Sequence, residues 1–223
     1  MKKLFFILCV TIVDAKIHMV SEYSNMNKSI KSWIEIKNEN LTRQKHDYSC
    51  GSASLSTILK YYYNQDISEN EVLNAVMKMK GLTKDSSLAQ YKKANGLSFL
   101  DLSVFVFSKG FKALGFALDM ESLRKIKIPL ILYVKIRNSE HFTVFKGIDN
   151  EYAYLADPSL GNTKVKISKF KEMFYQREDL KYPGKVLAIF PPVYGIEKNV
   201  SFMKIPPKTT LMTKVIRSIV LRK

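Results

Sequence analysis

The residues with chemical potential gather around Cys50. The segment RQKHDYSCGSASLSTIL puts it after a polar turn and just before apolar residues at helical spacing, so it stands in the first turn of a helix. Unpaired backbone N–H groups and the positive end of the helix dipole meet there, and both favour a thiolate, the form that attacks carbonyls. Gly51 leaves room beside the sulfur, and Ser52, Ala53 and Ser54 keep the first turn slim. Six residues upstream, Gln44 carries a neutral amide donor. Paired with the backbone N–H of Cys50, that amide would form an oxyanion hole.

A thiol nucleophile also needs a base, and the base needs a group to orient it. The candidates are His18, His46 and His141. His18 falls in an N-terminal arm. His46 shares a short loop with the thiol, and the sequence offers nothing nearby to fix its ring. His141 opens a strand, SEHFTVFKGI, and the next strand ends at Asp157 in YLADPSLGN. Parity decides whether these two can meet. A two-residue turn at Asp149-Asn150 sets His141 opposite Pro158 and sends Asp157 to the other face; a three-residue turn or a one-residue bulge sets His141 opposite Asp157 on one face. Cys50, His141, Asp157 and Gln44 are thus the candidate set, and their chemistry is acyl transfer through a thioester. Cys50, His46 and Asp47 could be drawn as a zinc corner, but a fourth ligand and the usual paired spacing are absent, so neither a metal nor another cofactor is expected.

A helix start and a sheet must hold these groups. Residues 50–64 carry the first helical pattern. Ser68 to Glu71 reads as a capping box opening a second helix that Gly81 stops, and Ser98 to Gly110 repeats that logic with Asp101 closing the box. Six short β-type runs follow, at 111–118, 129–134, 141–148, 151–157, 164–167 and 185–190. Helices first and strands later predict an α+β fold, a helical half packed on an antiparallel sheet, and argue against a doubly wound parallel one.

The chain has 223 residues, 46% of them hydrophobic, which excludes general disorder and a disulfide scaffold. Its 36 Lys+Arg against 20 Asp+Glu give a net charge of +16, a balance attracted to acidic surfaces. Met1-Lys2-Lys3, an uncharged run from Leu4 to Val13 and the small-residue pattern Val13-Asp14-Ala15 read as a secretory signal peptide over 1–15. The run is short of the ~20 residues that span a bilayer. Cys9 leaves with it, so the exported chain keeps Cys50 as its single thiol. Residues 16–42 read as a leading arm that docks on a domain over 43–192, and 193–223 as a basic extension. After Glu197 there is no acidic residue, while Leu211, Met212, Val215, Ile216, Ile219 and Val220 form a helical stripe. Residues 198–223 thus offer a surface for an anionic membrane or a protein partner. Nucleic acid is not expected, because export removes the chain from it.

Gln44 to Leu59, the strand His141-Phe142-Thr143-Val144, and Ala156-Asp157-Pro158 followed by Gly161 resemble the bacteriocin-processing, or double-glycine, cysteine peptidases of the papain-like clan, from about Arg43 to Pro191. The resemblance implies a papain-like fold with Cys50 as nucleophile, His141 as general base and acid, Asp157 as its orienter and Gln44 as oxyanion donor. Family members often head an ABC exporter and remove leader peptides after a Gly-Gly or Gly-Ala pair. This chain shows no Walker A sequence, so it is similar to the stand-alone, exported branch found beside functional-amyloid secretion systems. The implied function is an exported endopeptidase, periplasmic or extracellular, acting on a leader or small secreted protein or an amyloid-system component. Alternatives are a cell-wall or isopeptide amide hydrolase and a non-catalytic peptide-binding adaptor. Tyr48-Ser49 departs from the family, whose exporter-linked members usually carry Asp before the Cys, which alters the leader contacts rather than the chemistry.

Overall fold

The computed structural model describes residues 16–21, 24–29, 31–81, 97–192 and 195–205. The signal peptide read at 1–15 and the helical stripe from Leu211 to Val220 lie outside them. Two compact units divide between Lys37 and Asn38. In the first, β1 (Lys16–Ser21) and β2 (Ser24–Ser29) pair antiparallel, with His18 opposite Asn27, and α1 (Trp33–Asn38) follows.

The second unit opens with α2 (Cys50–Tyr61), buried from Gly51 to Leu59. A helix so enclosed must satisfy its polar side chains locally, and it does: Thr57 Oγ1 donates to Ala53 O at 2.8 Å and Ser56 Oγ to Ile67 O at 2.7 Å. Next comes α3 (Glu69–Met79), where Ser68 Oγ accepts from Glu71 N at 3.2 Å. That capping box is only half formed, because the Glu71 carboxylate pairs with Lys109 at 2.6 Å instead of turning back. In α4 (Phe99–Ser108) the box is reciprocal between Ser98 and Asp101.

The strands β3 (Lys112–Leu118), β4 (Leu130–Ile136), β5 (Ser139–Ile148), β6 (Tyr152–Asp157), β7 (Gly161–Lys166) and β8 (Gly184–Phe190) form an antiparallel sheet in the order β3-β8-β4-β5-β6-β7. Ile131, Val144 and Leu187 join the core with the first three helices of this unit. Leu130, Leu132 and Val186 belong to a second core with α5 (Met120–Lys125) and α6 (Ile167–Phe174). The α+β class holds, but the helices are not confined to the first half: α5 and α6 lie among the strands. At six and eight residues, both are too short for periodicity to announce them.

Packing also runs past Pro191-Pro192, where the sequence suggests a boundary. Asn199 N donates to Tyr62 O at 2.8 Å and Asn199 Nδ2 to Tyr61 O at 3.1 Å, taking up carbonyls that the end of α2 leaves open. Phe202, in a 3-10 turn over Val200–Met203, is buried against Tyr62.

Candidate active site

Cys50 is the first residue of α2, and close packing fixes where it sits. A Cβ on Gly51 would come within 3.1 Å of the Phe142 ring and 3.3 Å of Leu97 Cβ, so glycine is what lets the helix start approach β5 so nearly. Ser54 Oγ adds a bond to Phe142 O at 3.3 Å. The thiol is partly exposed and opens onto a cleft of about 920 Å³ bounded by Tyr48, Leu97, Phe99, Tyr133, His141 and Phe142. Burial, then a hydrogen bond to Glu140, push the Tyr133 phenol up to about 12, so it is a neutral donor in that wall.

A bulge brings His141 and Asp157 together. Ile148 lies opposite Ala153 and Gly147 opposite Tyr154, but Phe145 lies opposite Leu155, so Lys146 is the extra residue. The turn is at Asn150-Glu151, one residue later than the sequence suggests, with Asp149 N donating to Tyr152 O at 2.9 Å. That register alone would leave His141 and Asp157 on opposite faces; the bulge restores them to one. Beyond it Val144 faces Ala156, and the same register continued sets Asp157 against Thr143 rather than directly against His141. The pair is therefore diagonal, and a bond of 2.9 Å from His141 Nε2 to Asp157 Oδ2 closes it.

Asp157 ends β6 and is 1% exposed. Its Oδ1 accepts from Ser159 N at 2.9 Å, Ser159 Oγ at 2.8 Å and Leu160 N at 2.9 Å. Burial works against its charge, but the His141 hydrogen bond and charge and these donors outweigh burial and hold the carboxyl below its ordinary range. Burial likewise opposes the imidazolium of His141. The hydrogen bonds to Asp157 and to Cys50 prevail, and its pKa rises to about 9. With Nε2 held by Asp157, Nδ1 is the nitrogen left for the sulfur. The arrangement can share a proton between sulfur and imidazole and deliver it to a leaving group.

Gln44 is tied to the same ground. Its N donates to Pro158 O at 3.1 Å, and the Arg43 guanidinium bonds Ser159 O at 2.5 Å, so the loop before Cys50 is fastened to the turn after Asp157. The amide donates to His46 O at 3.0 Å, a carbonyl that can only accept and so faces the nitrogen; its second N–H is unspent, and its buried Oε1 has no partner. His46 is exposed and lies flat against Tyr48, centroids 5.1 Å apart, so its ring does have a neighbour to fix it, contrary to expectation, and that neighbour is not the thiol. Sequence reasoning missed Ser159 and Glu69. Ser159 stands two residues after an Asp, the spacing of an Asx turn, and could have been found. Glu69 looked like one more acidic residue in a first turn, and nothing in the sequence marks its burial.

The peptidase C39 family model matches residues 38–177. The chain is 33% identical over 143 residues to the probable functional amyloid protease FapD of Pseudomonas fluorescens and 32% identical over 143 residues to that of Pseudomonas aeruginosa. Each match covers 64% of this chain and 60% of the relative, so the chain matches only about 60% of the length of these curated relatives. Among solved structures, a double glycine motif protease from an AMS/PCAT transporter in complex with the leader peptide is 26% identical, with a TM-score of 0.50 over 68% of this chain and 90% of that one. The peptidase domain of Streptococcus ComA, at 19% identity, shares the fold with a TM-score of 0.51 over 68% of this chain and 97% of its own.

Proposed function

The chain belongs to the peptidase C39 family, and we propose that it is an exported cysteine endopeptidase that cleaves a leader or small secreted protein, in support of a secretion or amyloid-biogenesis system. The observation that carries this reading is the His141–Asp157 bond, made on an imidazole that lines the same cleft as the Cys50 thiol. Cys50 attacks the scissile carbonyl; the Cys50 N–H and the Gln44 amide receive the oxyanion; His141 Nδ1 protonates the leaving amine. A thioester forms as the C–N bond breaks, and water activated by His141 then hydrolyses it, returning the thiol.

The substrate class draws support from the FapD relatives, probable functional amyloid proteases, and from the matched protease in complex with a leader peptide. Export draws support from residues 1–15 and places the enzyme in the periplasm or outside the cell; N-terminal sequencing of the secreted protein should then begin at Lys16. Of residues 198–223, Asn199 and Phe202 are taken up by the domain itself, so docking on an anionic membrane or a protein partner is assigned to the basic residues after Ile205. The decisive experiment is incubation of the mature protein with an internally quenched peptide containing a Gly-Gly pair and with small exported proteins encoded beside it. Cleavage that Cys50→Ala abolishes supports the proposal. No product, or cleavage that survives Cys50→Ala, overturns it.

A further inference from the structure

The loop from Gln44 to Cys50 has an anchor that the proposed chemistry does not itself use. Glu69, the first residue of α3, is 2% exposed. Its Oε1 accepts from Lys45 N at 2.9 Å and from Ser49 Oγ at 2.5 Å, while Oε2 is buried without a partner. Those two donors are the immediate neighbours of Gln44 and of Cys50. One carboxylate oxygen thus holds both ends of the loop and sets the separation between the amide of Gln44 and the backbone N–H of Cys50.

The Ser49 hydroxyl shows what this anchoring displaces. Serine at an N-cap ordinarily accepts from a backbone N–H in the first turn, and Ser49 makes no such bond. Its oxygen instead accepts from His46 N at 3.1 Å, and its single proton lies within reach of both His46 O at 2.8 Å and Glu69 Oε1 at 2.5 Å. A carboxylate is the stronger and nearer acceptor. With the Ser49 hydroxyl donating to Glu69, His46 O is left to accept from the Gln44 amide and from Ser49 N at 3.1 Å, and the N–H groups at the start of α2 are not taken up by their own cap. A buried carboxyl group with an unpartnered oxygen is costly, and its two hydrogen bonds to one loop give it a reason to be there.

We propose that Glu69 is a positioning residue for the oxyanion hole, acting through the loop from Gln44 to Cys50. The inference rests on the roles given above to those two residues. Its signature is a loss in acyl transfer without a loss in thiol reactivity, because displacement by a thiol at the saturated carbon of iodoacetamide develops no oxyanion.

The test compares wild type, Glu69→Leu, Ser49→Ala, Gln44→Ala and the Glu69→Leu/Gln44→Ala double variant on the quenched Gly-Gly peptide and with iodoacetamide; leucine removes the acceptor, whereas glutamine would keep an oxygen for both donors. Glu69→Leu should lower kcat at least tenfold with KM within about twofold, and leave the alkylation rate of Cys50 within about twofold of wild type. In the Gln44→Ala background the same substitution should cost less than about twofold, since the separation that Glu69 sets matters only while both donors are present. Ser49→Ala should show the same split between kcat and alkylation and carries the test if Glu69→Leu does not fold. An unchanged kcat, a parallel loss of kcat and alkylation, or independent multiplication of the Glu69 and Gln44 losses overturns the proposal while the peptidase reading stands. Failure of the wild type to cleave overturns that reading, and this inference with it.

Discussion

Replacing Asp157 by Asn is the sharpest probe of the proposed acid–base pair, because the structure dictates how the amide must sit. Three donors, Ser159 N, Ser159 Oγ and Leu160 N, converge on Oδ1. They would hold the Asn oxygen in that place and turn its NH₂ toward His141. The imidazolium would lose its acceptor and face a donor, while burial, which already opposes its charge, would remain. The rise from the ordinary 6.5 to about 9 corresponds to about 3 kcal/mol in favour of the imidazolium. Without the carboxylate we expect the group to titrate at or below ~6.5. If protonation of the leaving amine requires the imidazolium, the alkaline limb of kcat/KM falls from about 9 in the wild type to that value. At pH ~5.5 the wild type is almost fully in the competent form and the variant keeps at most about nine-tenths; at pH ~7.5 the variant keeps at most about a tenth, so their ratio widens about tenfold or more between those pH values. The assay is the pH profile of kcat/KM on the quenched peptide. A limb that stays near 9 in Asp157→Asn, or a loss equal at every pH, refutes the assignment.

Gly184→Ala would place a Cβ 2.0 Å from Phe174 Cζ, against a ring buried in the second core; we expect at least ~1–3 kcal/mol of destabilisation in urea titration. Phe202→Ala removes a ring that is 1% exposed and should cost about 3–5 kcal/mol, read as a lower urea midpoint at unchanged slope. The pair should also mark stability against pH. His141 is raised, so its contribution is complete below ~6.5 and is lost as pH rises through about 9; Asp157 is lowered, so its contribution is complete above ~4 and is lost as pH falls through its folded value. The difference in melting temperature between wild type and Asp157→Asn should therefore be greatest between those limits and shrink toward pH 9.

What could be read from the sequence was whatever local chemistry determines. Cys50 at a helix start, the Ser98–Asp101 capping box and six strands all follow from short-range pattern, and the structure has each within a few residues. Strand parity reaches further: His141 and Asp157 meet only across an odd turn or a bulge. Which of these occurs, and that the pair is diagonal, depends on where an extra residue is tolerated. Lys146 is tolerated through tertiary contacts invisible locally: its Nζ lies 3.5 Å from Asn162 Oδ1 and 4.8 Å from the centre of the Phe202 ring. Glu69 was illegible for the same reason, since its partners are 20 and 24 residues away in sequence.

Those contacts change the meaning of the segment after Pro192. Asn199 fastens it to the carbonyls at the end of α2, and Phe202 lies under the bulge residue. Ile205 packs so closely on Gly147, the residue after the bulge, that a Cβ there would stand 3.0 Å away. One end of α2 carries the thiol, and the bulge fixes the face on which His141 and Asp157 meet. The same seven residues, 199–205, brace both. A segment that composition sets apart as an extension thus supports, from behind, the two elements whose agreement the site requires, and loosening it reaches the proposed acid–base pair without touching a group that bonds substrate.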